Sequence, residues 1–309
     1  MGQYPPYTES IKTERVFEMT IREAEAICRA FSRRSTPTED DAFLYVEAMD
    51  FLIRETARPE YMMELGGWYY GQKKFDLALK YYDLAAEYRW PAAYLCLGYI
   101  WYYGRTGKRD YEKAFRNYSL AAESGSTVAR YKLADMYKNG YHVEKDYGTY
   151  KAMVEALYPD VKDAQYTDEP LPEVYTRLAR IREEEGRPDD ALALLQEAKP
   201  FLAQRIRYSG FFGDLSIMKG LIEHMYTLTE PDPDDLDLYD LYELLRSPCR
   251  VGFYCGSKPY TVERVQEGEE SYIRFGNKFF RGRDDFFSKA KIGGERITAL
   301  DNLYGFEVL

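Results

Sequence analysis

The sequence predicts a mostly α-helical chain that ends in a small β-rich domain, and two observations carry this prediction. The segment Ala92–Gly125 recurs in degraded form on both sides of itself, at a period of 32 to 36 residues. A period in this range is typical of stacked helix–turn–helix units. From Cys249 onward, glycines, β-branched residues and aromatics replace the Ala–Leu pattern, which favours strands and tight turns.

The repeats are marked by small residues at fixed positions. A Leu-Gly pair recurs as Leu65-Gly66 and Leu97-Gly98, then as Leu133-Ala134, and an Ala-Ala pair recurs as Ala85-Ala86 and Ala121-Ala122. Such a unit cannot bury its apolar face alone, so neighbouring units must stack. The predicted fold is therefore an open array with a concave surface.

The middle repeat resembles the Sel1-like repeat, a relative of the tetratricopeptide repeat. The positions that carry the resemblance are Ala93, Leu97-Gly98, Trp101-Tyr102, Gly104, Asp110-Tyr111, Ala114, Tyr118, Ala121-Ala122 and Gly125. Degraded copies span Glu60–Glu87 and Val128–Tyr158, and Pro172–Lys199 is more similar to a tetratricopeptide hairpin. The resemblance implies a right-handed α/α superhelix of Sel1/TPR-like repeats that acts as an interaction scaffold and supplies no chemistry.

The pattern divides the chain into four parts. They are an N-terminal helical cap at 1–57, the repeats at 58–207, further helices with an acidic segment at 208–248, and the β-rich domain at 249–309. Capping-box patterns at Thr20–Glu23 and Thr38–Asp41 predict two helices in the cap. Their apolar faces are predicted to hold Ile21, Ala24, Cys28 and Phe31 in the first helix and Leu44, Ala48, Phe51 and Leu52 in the second.

Two later segments give more specific predictions. Glu230–Glu243 contains seven acids and neither Lys nor Arg, and we interpret it as a solvated face with a helix beginning at Asp234 or Asp235. The Gly276-Asn277 loop predicts a hairpin that pairs Phe275 with Lys278 and Ile273 with Phe280. Three further strands are predicted at Pro259–Gln266, Glu295–Leu300 and Tyr304–Leu309, and a short helix at 284–291. The β-rich domain is expected to be docked on the end of the repeats or tethered to it.

Bulk composition excludes several classes of partner. The net charge of −10 and the pI near 5.0 argue against a nucleic-acid surface, which needs a basic stripe. The four cysteines have no framework spacing, which favours a reduced, cytoplasmic setting. Neither a secretory signal nor an apolar run of membrane-spanning length is visible, so no membrane partner is expected. The sequence leaves the oligomeric state open.

The motifs for catalysis and for metal binding that the sequence contains are all incomplete. His142 and His224 stand in no ligand spacing, and Ser216–Lys219 fits Ser-x-x-Lys without its companion motifs. Gly107-Lys108 hints at a phosphate loop, but Arg109 stands where that loop needs Ser or Thr. We therefore expect no enzyme activity, no cofactor and no metal.

The first helix of each repeat, called helix A below, is expected to line the concave groove and to bind a protein or peptide there. The candidate residues are Met63, Tyr70, Leu95, Tyr99, Tyr102, Tyr103, Tyr131, Asp135, Lys138, Asn139, Thr176 and Arg180. They make one end of the groove aromatic and the other polar. The alternative for the tyrosines, which number 31, is that they pack between repeats as amphipathic filler.

Three hypotheses for function remain open at this point. The leading one is a non-catalytic scaffold that binds a protein or peptide in the groove. The second is an enzyme in the C-terminal domain, with the repeats recruiting its substrate. The third is a structural protein whose groove is filled by its own C-terminal domain.

Overall fold

The computed structural model describes residues 19–34, 36–165, 169–209, 213–268 and 270–309. The chain divides into two compact units, Met1–Ser124 and Gly125–Leu309. The described part is mostly α-helical, with consecutive helix pairs and a C-terminal antiparallel sheet, which confirms the predicted fold class. No described helix combines the length and the apolar character that crossing a membrane requires.

The described part of the first unit contains six helices, of which the first two correspond to the predicted cap. They are α1 (Ile21–Ser32), α2 (Glu39–Thr56), α3 (Pro59–Gly71), α4 (Phe75–Glu87), α5 (Pro91–Tyr103) and α6 (Tyr111–Glu123). Both predicted capping boxes are confirmed. The hydroxyls of Thr20 and Thr38 each accept a hydrogen bond from the backbone N–H of the third residue of their helix, and the carboxylate of that residue accepts one from the backbone N–H of the threonine.

The predicted apolar faces of the cap helices are only partly correct. Ile21 is 45% exposed and Leu44 is 46% exposed. In α2 the buried stripe instead contains Tyr45, Ala48, Met49 and Leu52. The prediction that Leu44 belongs to the buried face is wrong, because Leu44 lies about 100° around the helix from Tyr45, outside that stripe.

The Leu-Gly positions of the first unit are buried, as the repeat register predicts. Leu65 is fully buried and Leu97 is 3% exposed. A Cβ atom added at Gly98 would lie 2.4 Å from two ring carbons of Tyr118, and one added at Gly66 would lie 2.7 Å from the ring of Tyr82. The glycines are therefore required because a tyrosine of the paired helix fills the space that their side chains would occupy.

The helical part of the second unit begins with the third and fourth repeats. Its helices are α7 (Thr127–Asn139), α8 (Tyr147–Val161), α9 (Leu171–Glu184), α10 (Pro188–Ser209), α11 (Asp214–Leu228) and the short α12 (Leu241–Leu244). Helix A of the four repeats is thus α3, α5, α7 and α9, and α4, α6, α8 and α10 are their pairs.

The acidic segment differs from its prediction in two ways. Its first helical turn begins at Leu238, capped by Asp237, and not at Asp234 or Asp235. Asp240 is 1% exposed and accepts hydrogen bonds from Lys199 Nζ at 2.6 Å and from the Tyr226 hydroxyl at 2.6 Å. The solvated-face interpretation is therefore wrong at Asp240, because a lysine from α10 neutralises this carboxylate inside the fold.

The C-terminal sheet has the strand order β4-β3-β2-β1-β7. Its elements are β1 (Arg250–Cys255), β2 (Lys258–Glu267), β3 (Glu270–Phe275), β4 (Lys278–Phe280), α13 (Arg283–Lys289) and β7 (Leu303–Val308), and the two-stranded pair is β5 (Lys291–Ile292) with β6 (Glu295–Arg296). The predicted hairpin register is confirmed, with Ile273 opposite Phe280 and Phe275 opposite Lys278. The strand predicted at Glu295–Leu300 is wrong beyond Arg296, because Ile297 N donates to Ala290 O at 2.9 Å and the chain turns there.

The sheet and the helices of the second unit share one hydrophobic core. It contains Phe253 and Phe287 from the C-terminal region together with Met218 and Leu221 of α11. The rings of Tyr242 and Phe287 stack with centroids 3.9 Å apart. Lys219 Nζ also pairs with Asp284 at 2.9 Å. The C-terminal region is therefore docked on the helices and not merely tethered, while the exact division of the chain at 57, 207 and 248 stays a prediction.

Candidate protein-binding surface

The first unit carries a set of neighbouring tyrosines on helix A, which we call the tyrosine surface and define as Tyr70, Tyr99, Tyr102 and Tyr103. The Tyr99 and Tyr103 rings stack with centroids 6.1 Å apart, and Tyr102 meets Tyr103 edge-on at 5.0 Å. Tyr103 is 38% exposed, while the other three are half-buried. The predicted tyrosines of this unit are thus brought together by the fold.

A fifth tyrosine lies beneath this surface. Tyr118 of α6 is fully buried, with its ring centroid 6.0 Å from those of Tyr99 and Tyr102. Its hydroxyl has no hydrogen-bond partner in the described part of the chain. Burial, followed by the neighbouring tyrosines, raises the pKa of Tyr118 well above its ordinary value. The phenol therefore stays neutral, and it supports the surface from below as part of the core.

Arg105 links the tyrosine surface to the preceding repeat, and the sequence analysis missed it. Its Nε donates to the Tyr70 hydroxyl at 3.1 Å, and its Cζ lies 4.8 Å from the Tyr103 ring centroid. The chain reaches this position because Gly104 adopts a φ of 62°, a left-handed conformation that ends α5. The signal for Arg105 in the sequence was its position as a basic residue directly after Gly104, the glycine that ends α5.

The other two candidates of the first unit are Met63 and Leu95, which are half-buried like Tyr70, Tyr99 and Tyr102. Met63 is half-buried and packs against two clusters of the hydrophobic core. Leu95 is also half-buried. Because neither is aromatic, the tyrosine surface as defined does not include them, and their place in the groove stays a prediction.

In the second unit, the equivalent helix A positions are polar and largely engaged within the fold. Tyr131 is only 3% exposed, and the Arg177 guanidinium lies 4.5 Å from its ring centroid. Both oxygens of Asp135 accept hydrogen bonds from Arg177, one of them from Nε at 2.7 Å. The prediction that Tyr131 lines an open groove is wrong, because the Arg177–Asp135 ion pair covers its ring.

Two more candidates of the second unit bond to their own helix. The Asn139 side chain donates to the Asp135 carbonyl at 2.7 Å, and the Thr176 hydroxyl donates to the Glu173 carbonyl at 3.2 Å. These bonds satisfy polar groups locally and do not bring Asn139 and Thr176 together. Neither side chain is thereby assigned a role at a shared site.

Lys138 and Arg180 behave differently, and with Tyr150 they form what we call the cationic cluster. Lys138 Nζ lies 4.8 Å from the ring centroid of Tyr150. Burial, followed by the charge of Arg180, lowers the pKa of Lys138. Burial likewise raises the pKa of Tyr150 to about 12, and its buried hydroxyl has no hydrogen-bond partner among the described residues. Arg180 is exposed.

The C-terminal sheet contains a cavity of about 320 Å³ on one face. Its lining residues are Arg250, Pro259, Tyr260, Thr261, Glu263, Arg274 and Gly276. The Glu263 carboxylate lies 3.9 Å from Arg250 Nε and also pairs with Arg274. Among the described lining residues, the one carboxylate is therefore held between two cations. Within the described ranges, no group of three or more His, Cys, Asp or Glu side chains is placed to hold a metal ion.

Comparison with protein families bears on the helix pairs. Residues 59–87, 91–126 and 127–149 match the family model described as Sel1 repeat. The chain carries three Sel1 repeats. They coincide with the pairs α3/α4 and α5/α6 and with α7 and the first residues of α8. The fourth helix pair, α9/α10, lies outside the match.

Solved structures with Sel1-type repeats are similar to the chain at low sequence identity. One is a protective antigen present in uropathogenic Escherichia coli strains that displays an SLR fold, with 18% identity, a TM-score of 0.46, and coverage of 66% of this chain and 46% of that protein. The chain thus spans about half the length of that antigen. Another is a Sel1 repeat protein from Oxalobacter formigenes, with 17% identity, a TM-score of 0.44, and coverage of 67% and 88%. No curated protein matches the chain.

Proposed function

We propose that the chain is a non-catalytic scaffold that binds a protein or peptide partner through the helix A side of its Sel1 repeats. Sel1 repeats are typical of proteins that mediate protein–protein interactions. The observation that carries the proposal is the tyrosine surface of the first unit. It presents four neighbouring tyrosines on two successive helix A segments, α3 and α5.

The physical properties of the tyrosine surface suit the binding of a peptide segment. Tyrosine offers a large amphipathic contact area and loses little conformational entropy when it is fixed. Here the rings already restrain one another, at centroid distances of 5.0 and 6.1 Å, and Arg105 holds Tyr70 by a hydrogen bond. Little of the binding energy is then spent on ordering the surface. The apolar side chains of an extended or helical partner segment would pack against these rings.

The packing of the C-terminal region favours this function over the two alternatives. The sheet docks on the second unit's helices, for example through Met218 of α11 and Tyr242 of α12. Arg180 of α9 is exposed, which agrees better with an open helix A surface than with one filled by the chain itself. For an enzyme in the sheet, the cavity offers a carboxylate already paired with two arginines, which is a poor general acid or base.

The test uses a peptide selected from a random twelve-residue display library on the immobilised full chain. The affinity of the selected peptide is then measured for the wild-type chain and for the variants Tyr102→Ala and Tyr103→Ala. Each substitution is expected to weaken binding by about 2 kcal/mol, which is roughly thirtyfold, because a central tyrosine is a typical hot spot.

Tyr88→Ala is the matched control for this test. Tyr88 is also a tyrosine of the first unit and is 49% exposed, but it lies at the end of α4. The control is expected to bind like the wild type, and thermal melts should show that all variants remain folded. A library from which no peptide is enriched, or a peptide insensitive to both substitutions, would contradict the proposed function.

A further inference from the structure

We propose that the cavity of the C-terminal sheet is a binding site for a phosphate monoester group. The cavity lies on the side of the sheet that points away from the hydrophobic core, which we call the outer face. All of its lining residues belong to the second unit, so the site is separate from the tyrosine surface and does not rest on the proposed function. A phosphorylated small molecule and a phosphorylated side chain of a partner both carry the group that the site would recognise.

The register of the sheet places the charged residues of the cavity in one row on the outer face. Val251, Val262 and Phe275 pair across β1, β2 and β3, and all three are buried in the core. Because successive side chains of a strand point to opposite faces, the adjacent row lies on the outer face. The members of that row are Arg250, Glu263 and Arg274. Two cations thus flank one carboxylate on neighbouring strands.

Glu263 orients the two guanidinium groups and leaves most of their donors uncommitted. Its carboxylate pairs with Arg274 and lies 3.9 Å from Arg250 Nε. A guanidinium has five N–H donors, and one carboxylate takes up two of them at most. The side chains of Arg250 and Arg274 are 59% and 51% exposed, whereas that of Glu263 is 16% exposed. The remaining donors of both arginines are therefore accessible to an anion from solvent.

The cavity has the size of a small-ligand site. Its volume of about 320 Å³ lies at the lower end of the range of about 300–1,000 Å³ that is typical of ligand pockets. Gly276 is one of its lining residues, and a Cβ atom added there would meet no other atom within 4 Å. The space beside Gly276 is therefore open, and a ligand can enter it without displacing a side chain.

The number of donor groups favours phosphate over carboxylate. Arg250, Thr261 and Arg274 line the cavity from three neighbouring strands. A carboxylate is satisfied by one guanidinium fork, whereas a phosphate monoester has three terminal oxygens that accept strong hydrogen bonds. Two guanidinium groups and the Thr261 hydroxyl provide one donor group for each of these oxygens. The phosphate monoester is therefore the ligand that this set of residues fits.

The local charge also admits an anion, although the whole chain is acidic. The two arginines and Glu263 leave one positive charge among the described lining residues of the cavity. Residues 249–309 contain 10 basic and 9 acidic residues, so the net charge of −10 resides in the rest of the chain. The region around the cavity therefore does not repel a phosphate group as strongly as the net charge of the chain suggests.

The test titrates the full chain with phosphoserine that is acetylated at its N-terminus and amidated at its C-terminus, in a calorimeter. Arg250→Gln and Arg274→Gln are each expected to weaken binding about tenfold, because each removes a charge-assisted hydrogen bond. Thr261→Val keeps the shape of the side chain and should weaken binding about threefold, because it removes a neutral donor. Glutamate blocked in the same way should bind at least about tenfold more weakly than phosphoserine, since it has fewer acceptor oxygens.

Arg296→Gln is the matched control, because Arg296 is an exposed arginine of β6 in the same unit and is not among the lining residues of the cavity. It is expected to leave the affinity within about twofold of the wild type, since a surface charge outside the cavity is screened by salt. Thermal melts check that every variant remains folded. An equal loss in all three arginine variants would indicate a general electrostatic effect and would overturn the proposal.

The remaining outcomes decide the chemistry and the source of the ligand. An absence of saturable phosphoserine binding, or equally tight binding of blocked glutamate, would overturn the phosphate site. Tighter binding of phosphoserine within a Gly-Ser peptide would support the site with a partner chain as the source, and equal binding would support it with a small phosphorylated molecule. Tyr102→Ala and Tyr103→Ala should leave phosphoserine binding unchanged, so that the failure of one proposal is distinguishable from the failure of the other. A loss of phosphoserine binding in these tyrosine variants would overturn the assignment to the sheet.

Discussion

The second and third repeats place different chemistry at equivalent positions of helix A. The three tyrosines of the tyrosine surface that lie on α5 are followed, 36 residues later on α7, by Asp135, Lys138 and Asn139. Both helices keep a buried Leu at the start of the Leu-Gly or Leu-Ala pair. The difference teaches that the repeat tolerates a change of surface from aromatic to charged while its packing positions stay apolar.

The cores of the two repeats differ in a compensated way. In the second repeat, Gly98 leaves room for the ring of Tyr118. In the third repeat the positions 36 residues later are Ala134 and Val154, both fully buried. A larger residue on helix A is thus accompanied by a smaller one on its paired helix, so that the volume of the pair is distributed differently.

The largest expected effect concerns the ion pair that distinguishes the third repeat. Arg177→Met should lower the free energy of unfolding by about 3 kcal/mol, because it leaves the largely buried Asp135 carboxylate without its partner. Chemical denaturation measures the change. Adding Asp135→Asn should recover much of the loss, and the exposed Arg187→Met is expected to cost well under 1 kcal/mol. A loss in Arg187→Met as large as in Arg177→Met would contradict this account of the pair.

The next effect concerns the glycine of the second repeat. Gly98→Leu should destabilise the chain by about 1–3 kcal/mol, because its side chain must displace the Tyr118 ring that lies 2.4 Å from the new Cβ. The loss of stability in Gly98→Leu is to be compared with that in Ala134→Leu, the equivalent change in the third repeat, where the neighbour is Val154 and thus smaller than Tyr118.

The compensation between helix A and its paired helix gives a sharper form of this test. The effects of Gly98→Ala and Tyr118→Val should not add, because the second change opens space for the first. The combined variant should be more stable than the sum of the single changes by about 0.5–3 kcal/mol. Strict additivity in urea melts would show that the two residues do not share one volume.

Much of this architecture is visible in the sequence because it depends on local patterns. The hairpin register follows from the Gly276-Asn277 loop, since a two-residue turn determines which residues face each other. The buried Leu-Gly positions follow from their regular recurrence. The tyrosines of α5 were found because positions three and four residues apart lie on one side of a helix.

The parts that were not predicted depend on partners far apart in the chain. Tyr131 is covered by Arg177, and Asp240 is neutralised by Lys199, 41 residues away. Helical periodicity indicates which side of a helix a residue occupies, but it does not indicate which charged residue of another helix will reach it. Burial of Tyr131 and Asp240 therefore required the tertiary structure.

The smallest expected effect is a dependence on pH in the second unit. Hydrogen bonds from Lys151 and Arg182, larger than the opposing effect of burial, lower the pKa of Glu185 to about 2. A carboxylate with a lowered pKa stabilises the fold above its ordinary pKa near 4.5, and this contribution is lost as the pH falls toward 2. The stability difference between the wild type and Glu185→Gln should therefore shrink over this range in urea melts. A difference that stays constant between pH 5 and pH 2 would show that the Glu185 carboxylate does not contribute.

The structure of the full chain with a library-selected peptide tests the central claim most directly. We expect the peptide to lie along the helix A side of the first unit, with apolar side chains in contact with the rings of Tyr102 and Tyr103. A peptide bound instead on the C-terminal sheet, or on the paired helices α4 and α6, would contradict the account.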